Sequence, residues 1–174
     1  FGGYQFTTTL DRKSFVIKFD AQGNLLWGSN AGVPGEWNYE GRATESTRNM
    51  TINGDELAVG TAFFNQLWGN YGITEQPAGA GFDPLLIRLN KNTGVPVGGH
   101  RIQGPNGFRE GITAVETDKD GNYIVGGYMR TLLFGDGGDY IHPIIGQLHK
   151  ANPGSNTDFF IAKLAKNTCN YANT

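Results

Sequence analysis

Hydrolysis of a glycosidic bond needs two carboxyl groups across a pocket, one of them with a raised pKa. Glu36, Glu40, Glu110, Asp136 and Asp139 are the candidates, and nothing in their spacing selects a pair. His142 and His149 lie in a Pro-containing segment without the ligand spacing of a zinc site. No Gly-x-Ser-x-Gly occurs, and Cys169, the sole cysteine, has no His near it in sequence. Asp118, Asp120 and Asn122 start like a calcium loop, but Gly121 comes too early and the distant Glu ligand is missing; the same residues make an ordinary hairpin turn. Asp136-Gly137-Gly138-Asp139 has the length to wrap a cation, with a flexible turn as the other reading. No residue set points to a cofactor.

A second chemistry is recognition. Trp37, Tyr39, Tyr71, Phe108, Arg109, Tyr140 and His142 place aromatic planes beside hydrogen-bonding groups, as a sugar ring, a peptide or a protein surface requires. They are the expected ligand-binding residues, and the competing reading is that the aromatics pin long loops to the scaffold. Fourteen Lys and Arg against sixteen Asp and Glu give a net charge of -2, which offers no electrostatic footprint for nucleic acid or an anionic membrane. Apolar stretches stop at four or five residues, far short of the ~20 of a membrane helix.

The elements that position these groups follow from composition and repetition. Of 174 residues, 27 are Gly, more than twice the usual ~7 %. No collagen-like period accompanies them, and aromatics at 12 % exclude a disordered linker. The remaining class is a turn-dense all-β chain, forming one domain or a piece of one.

Self-comparison finds a repeat. Ser14-Phe15-Val16-Ile17-Lys18-Phe19-Asp20 returns as Pro84-Leu85-Leu86-Ile87-Arg88-Leu89-Asn90 and as Phe159-Phe160-Ile161-Ala162-Lys163-Leu164-Ala165. Phe1-Gly2-Gly3-Tyr4 similarly matches Val59-Gly60-Thr61-Ala62 and Val125-Gly126-Gly127-Tyr128, and Leu10, Trp68 and Phe134 follow at matching positions. Lys91-Asn92-Thr93-Gly94 returns as Lys166-Asn167-Thr168-Cys169. Each unit reads as four short strands, A to D, in a meander: Ile112–Thr117, a turn at Asp118–Asn122, Tyr123–Tyr128, then the basic-anchored strand and a last strand such as Leu25-Leu26-Trp27. That is the sheet of a β-propeller blade. The expected units are residues 1–41 (strands B to D), 42–108 (A to D) and 109–174 (A to C). Three blades fall below the four to eight of a ring, so the expectation is that the chain continues or that neighbouring chains complete the ring.

The pair Asp120-Gly121-Asn122-Tyr123-Ile124-Val125-Gly126-Gly127-Tyr128 and Asp158-Phe159-Phe160-Ile161-Ala162-Lys163-Leu164 resembles the bacterial β-propeller repeat known as SBBP. The resemblance touches all three units, although Asn53-Gly54-Asp55-Glu56 shortens the turn in the middle one. It implies a propeller, export to the cell surface or medium, and a binding, adhesive or scaffolding role; it supplies no catalytic residues.

In such a meander the B-to-C and D-to-A connections emerge on one side and the hairpin turns on the other. The long connections, residues 28–41, 65–83, 99–110 and 135–157, all fall on the first side and carry the candidate residues. The expected function is a non-enzymatic module binding a glycan or protein through that side, or serving as a structural unit. The alternative is a polysaccharide-acting enzyme using the loop carboxylates. Two structural expectations accompany these. Lys18, Arg88 and Lys163 form either an anion-binding ring or, more simply, stems crossing apolar sheet with their charges at its edge; and the sequon Asn49-Met50-Thr51 lies in strand A, where a glycan does not fit.

Overall fold

The β-branched and aromatic runs, punctuated by Asp-, Asn- and Gly-bearing turns, form the strands expected of them. The computed structural model describes residues 15–31, 49–63, 67–72, 82–105, 110–135, 146–151 and 157–166. These residues are all-β, with no helix among them. In chain order the strands are β1 (Phe15–Phe19), β2 (Leu25–Asn30), β3 (Met50–Asn53), β4 (Glu56–Phe63), β5 (Leu67–Trp68), β6 (Tyr71–Gly72), β7 (Asp83–Asn90), β8 (Pro96–Arg101), β9 (Gly111–Thr117), β10 (Tyr123–Met129), β11 (Leu132–Leu133), β12 (Leu148–His149) and β13 (Asp158–Leu164).

The strands form open antiparallel sheets. β1 pairs with β2; β3, β4, β7 and β8 form a four-stranded meander; β9, β10 and β13 form a three-stranded one. β5–β6 and β11–β12 are small hairpins inside the long connections, and the pattern of the sequence did not announce them.

The turns explain themselves. Asp20 Oδ1 accepts the amides of Gln22 and Asn24 at 3.0 and 2.7 Å. Asp118 Oδ1 does the same for Asp120 and Asn122 at 2.9 and 2.8 Å, so the supposed start of a calcium loop is spent on a hairpin. Lys163 closes an ion pair with Asp118 at 2.6 Å, which, with the Asn122 hydrogen bonds, holds that carboxyl well below its ordinary range.

β7 is buried along Asp83–Leu89, and its alternate residues divide between two cores. Leu85, Ile87 and Leu89 pack with Trp27, Ala31 and Trp68 on one side. Leu86 and Ala58 pack on the other with Ile112, Val115, Tyr123, Val125 and Phe160. The four-stranded sheet is therefore sandwiched between its neighbours, which is why β7 carries the apolar run Pro84–Ile87 rather than an alternating pattern.

Gly60 marks how close the second stacking is. A Cβ there would lie 2.3 Å from Ile112 Cγ2 and 2.6 Å from Val115 Cγ2, whereas at the equivalent Gly126 the nearest atom is 3.7 Å away. Gly60→Ala is accordingly expected to cost about 1–3 kcal/mol by overpacking, and Gly126→Ala less than about 0.5 kcal/mol. Urea denaturation of the two variants side by side checks this.

Candidate functional site

Two polar groupings stand out in the described residues. The first is a pair of seams, between the two-stranded and four-stranded sheets and between the four-stranded and three-stranded sheets, where the basic residue of the repeat ties one sheet to the next. Lys18 Nζ donates to the Lys91 carbonyl at 2.8 Å, and Trp27 Nε1 to the same oxygen at 3.1 Å. Arg88 Nη1 donates to the Lys166 carbonyl at 3.0 Å. Lys91 and Lys166 are equivalent in the repeat, so one contact is made twice, each time from a sheet to its successor.

The two copies of this contact are built differently. Lys18 pairs across strands with Trp27, whose indole lies over Gly94. Arg88 pairs across strands with Gly98, where a Cβ would sit 2.1 Å from Nη2. The guanidinium thus fills the space that the indole fills in the first sheet, and only glycine leaves room for it. Arg88 is buried and also faces Glu56 at 3.3 Å, while the Tyr123 hydroxyl donates to Glu56 Oε2 at 2.5 Å. Burial and that carboxylate push the Tyr123 phenol up. His100 lies on the same face, its Nε2 buried without a hydrogen-bond partner. Burial, then Arg88, pulls its pKa down to about 4, so the imidazole is neutral in this seam. The expectation of a charge held at the sheet edge is therefore wrong for Arg88, whose charge is inside and partnered.

The second grouping joins Asp83, at the start of β7, to Glu110, just before β9. Arg101 holds Asp83 Oδ2 through Nε at 2.7 Å and Nη2 at 2.6 Å, and the Gly104 amide donates to Oδ1 at 3.1 Å. Glu110 is fully buried; its Oε1 accepts the Arg130 amide at 3.3 Å, and Oε2 has no hydrogen-bond partner. A Cβ on Gly104 would lie 3.4–3.5 Å from Asp83 Oδ1, the Leu132 carbonyl and Glu110 Oε2, so three oxygens converge on the room that glycine leaves. Burial first, and the nearby Asp83 charge among the other causes, pushes Glu110 up to about 8. A carboxyl with a raised pKa beside a second one paired with an arginine is a division used in acid–base catalysis. Here both are sealed from solvent, so no scissile bond reaches them.

An apolar cleft of about 440 Å³ also opens beside β1, lined by Ile17, Phe19, Met50, Ile52 and Leu57 with Lys18 and Lys91 at hand. Among the described residues β1 pairs with β2 alone.

Of the expected ligand-binding residues, Tyr71 is described. It is half-buried on β6, opposite Trp68 and against the Trp27–Leu85–Ile87 core. Trp37, Tyr39, Phe108, Arg109, Tyr140 and His142, with the cation candidates Asp136 and Asp139, lie outside the described residues, as do Glu36 and Glu40. Trp68 and Phe134, which share a repeat position, are both core residues. His149 is exposed on β12. Asn49 of the sequon donates through Nδ2 to the Gly60 carbonyl at 2.7 Å. Among the described residues no group of three or more His, Cys, Asp or Glu is placed to hold a metal, and no helix is long and apolar enough to cross a membrane. Sequence reasoning missed Asp83 and Arg101, because their partnership with Glu110 joins the ends of two connections and leaves no spacing to read. No family model matches the chain, and no curated protein matches it.

Proposed function

We propose that this chain is a non-enzymatic unit of a secreted or cell-surface β-propeller, its sheets serving as successive blades and its long connections forming a recognition side for a glycan or protein. The observation that carries this reading is the repeated tie from Lys18 to Lys91 and from Arg88 to Lys166, made in the same direction between successive sheets. A contact that recurs with the repeat is what a quasi-one-dimensional array of blades requires. Loop placement supports the recognition side. The A-to-B and C-to-D connections are tight turns at residues 20–24, 54–55, 91–95 and 118–122, and the length lies between β4 and β7, β8 and β9, and β10 and β13. Export rests on the resemblance to the SBBP repeat. The described carboxylate of the enzymatic alternative, Glu110, is sealed inside the fold.

A glycan array and a cell-surface binding assay on the whole chain test the recognition role. Replacing Trp37, Tyr39 and Tyr140 together by Ala is expected to weaken the strongest interaction roughly tenfold or more, in line with aromatic anchors, with the unfolding midpoint unchanged. Binding that survives the triple replacement overturns the recognition role and leaves a structural unit. Tyr71→Ala is expected to lower stability instead, because its ring packs on the core.

A further inference from the structure

Resting on the stacked-blade reading, we propose that the two outer faces of the stack are the two halves of a head-to-tail contact between copies of this chain, the β13 face of one copy seating on the β1 face of the next. The evidence is the contrast between equivalent positions. Leu86 faces the following sheet and is fully buried; its counterpart Ile161 is 68 % exposed, with Phe159 beside it at 80 %. On the opposite side Leu89 is fully buried against the preceding sheet, and its counterpart Phe19 is 44 % exposed.

Two further details match. Gly60 is a dent filled by Ile112 and Val115 of the next sheet, and Gly126 is the same dent with nothing within 3.7 Å. Lys163 holds its own-sheet acid, Asp118, as Arg88 holds Glu56. Arg88 reaches on to the carbonyl of Lys166 in the next sheet, whereas the Lys163 ammonium remains half-exposed. In a docked copy the carbonyl at that repeat position is that of Ala21.

A second copy fits because this chain carries both halves, and each half already has its complement within the chain. The contact is heterologous, so it forms a closed ring or a growing filament according to the rotation between copies.

Sedimentation velocity of the 174-residue chain from micromolar to near-millimolar concentration is the test. The expected result is association that strengthens with concentration and weakens roughly tenfold or more in each of Ile161→Glu, Gly126→Leu and Phe19→Glu, with unfolding midpoints unchanged. Ile161→Glu mixed with Phe19→Glu is expected to re-form a one-to-one complex that grows no further, since each variant keeps one intact face. A wild-type chain that stays monomeric, variants that associate like wild type, or a mixture that fails to re-form the complex overturns the proposal. A monomer in which Gly60 and Ile112 are still energetically coupled overturns self-association alone. A monomer without that coupling overturns the stacked-blade reading as well.

Discussion

Glu110→Gln is expected to make the protein more stable at pH 8 and to remove most of its loss of stability above neutrality. Glu110 is protonated in the folded chain up to about pH 8, against an ordinary value of 4.5. Its contribution is therefore complete below pH 4.5 and is lost as pH rises through 8, because the unfolded chain releases the proton first. His100 acts in the opposite sense. Its folded value of about 4 lies below the ordinary 6.5, so its contribution is complete above pH 6.5 and is lost as pH falls towards 4. Between pH 4.5 and 6.5 the two slopes oppose each other, and above 6.5 the Glu110 slope stands alone.

The expected wild-type profile is thus nearly level on the acid side of neutrality, falling by about 2 kcal/mol from pH 6.5 to pH 8. Gln fits the site, since it has the shape of the protonated Glu110 carboxyl, its amide oxygen can accept the Arg130 amide, and it carries no charge to bury. We expect the variant to be flat across that range and about 2–4 kcal/mol more stable at pH 8. Guanidinium denaturation at a series of pH values reads both effects. A variant that keeps the wild-type slope would place the titration elsewhere.

Arg88→Met is expected to be among the most damaging single changes, at about 3–5 kcal/mol, since it strands a largely buried carboxylate. Glu56 would keep the Tyr123 hydroxyl and lose its cation, and the tie to the Lys166 carbonyl would vanish. Adding Glu56→Gln removes the stranded charge and is expected to recover about half of the loss. Arg88→Lys keeps the charge but cannot fill the space over Gly98 or reach both acceptors, so it should fall between wild type and Arg88→Met. Hydrogen exchange locates the damage: β9, β10 and β13 should lose protection in Arg88→Met, while β1 and β2 keep it.

Much of the strand plan was legible because it rests on local chemistry repeated three times. The Asp-x-x-Gly-Asn turns hold their own amides, and the register set by Lys18, Arg88 and Lys163 places β1, β7 and β13. β7 declared itself by the unalternating apolar run Pro84–Ile87 ahead of the basic residue of the repeat, the mark of a strand buried on both faces. The long connection expected from residue 99 starts later, because Gly99, His100 and Arg101 still belong to β8. Its glycines make sense only once the Arg88 guanidinium lies over Gly98 and Tyr71 over Gly99. The two-residue strands β5, β6, β11 and β12 are too short to carry a period. The Asp83–Arg101–Glu110 cluster is a tertiary fact, and the burial that raises the Glu110 pKa leaves no trace in spacing.

The central claim is that successive sheets stack face to face through equivalent positions, and a double-mutant cycle between Gly60 and Ile112 tests it most directly. Gly60→Ala should cost about 1–3 kcal/mol in the wild-type background and clearly less in Ile112→Ala, where the nearer of the two methyls it strikes is gone and Val115 Cγ2 remains, giving a coupling of about 1 kcal/mol. Costs that add to within about 0.5 kcal/mol would mean that the two residues do not touch and that the sheets are not stacked in this way.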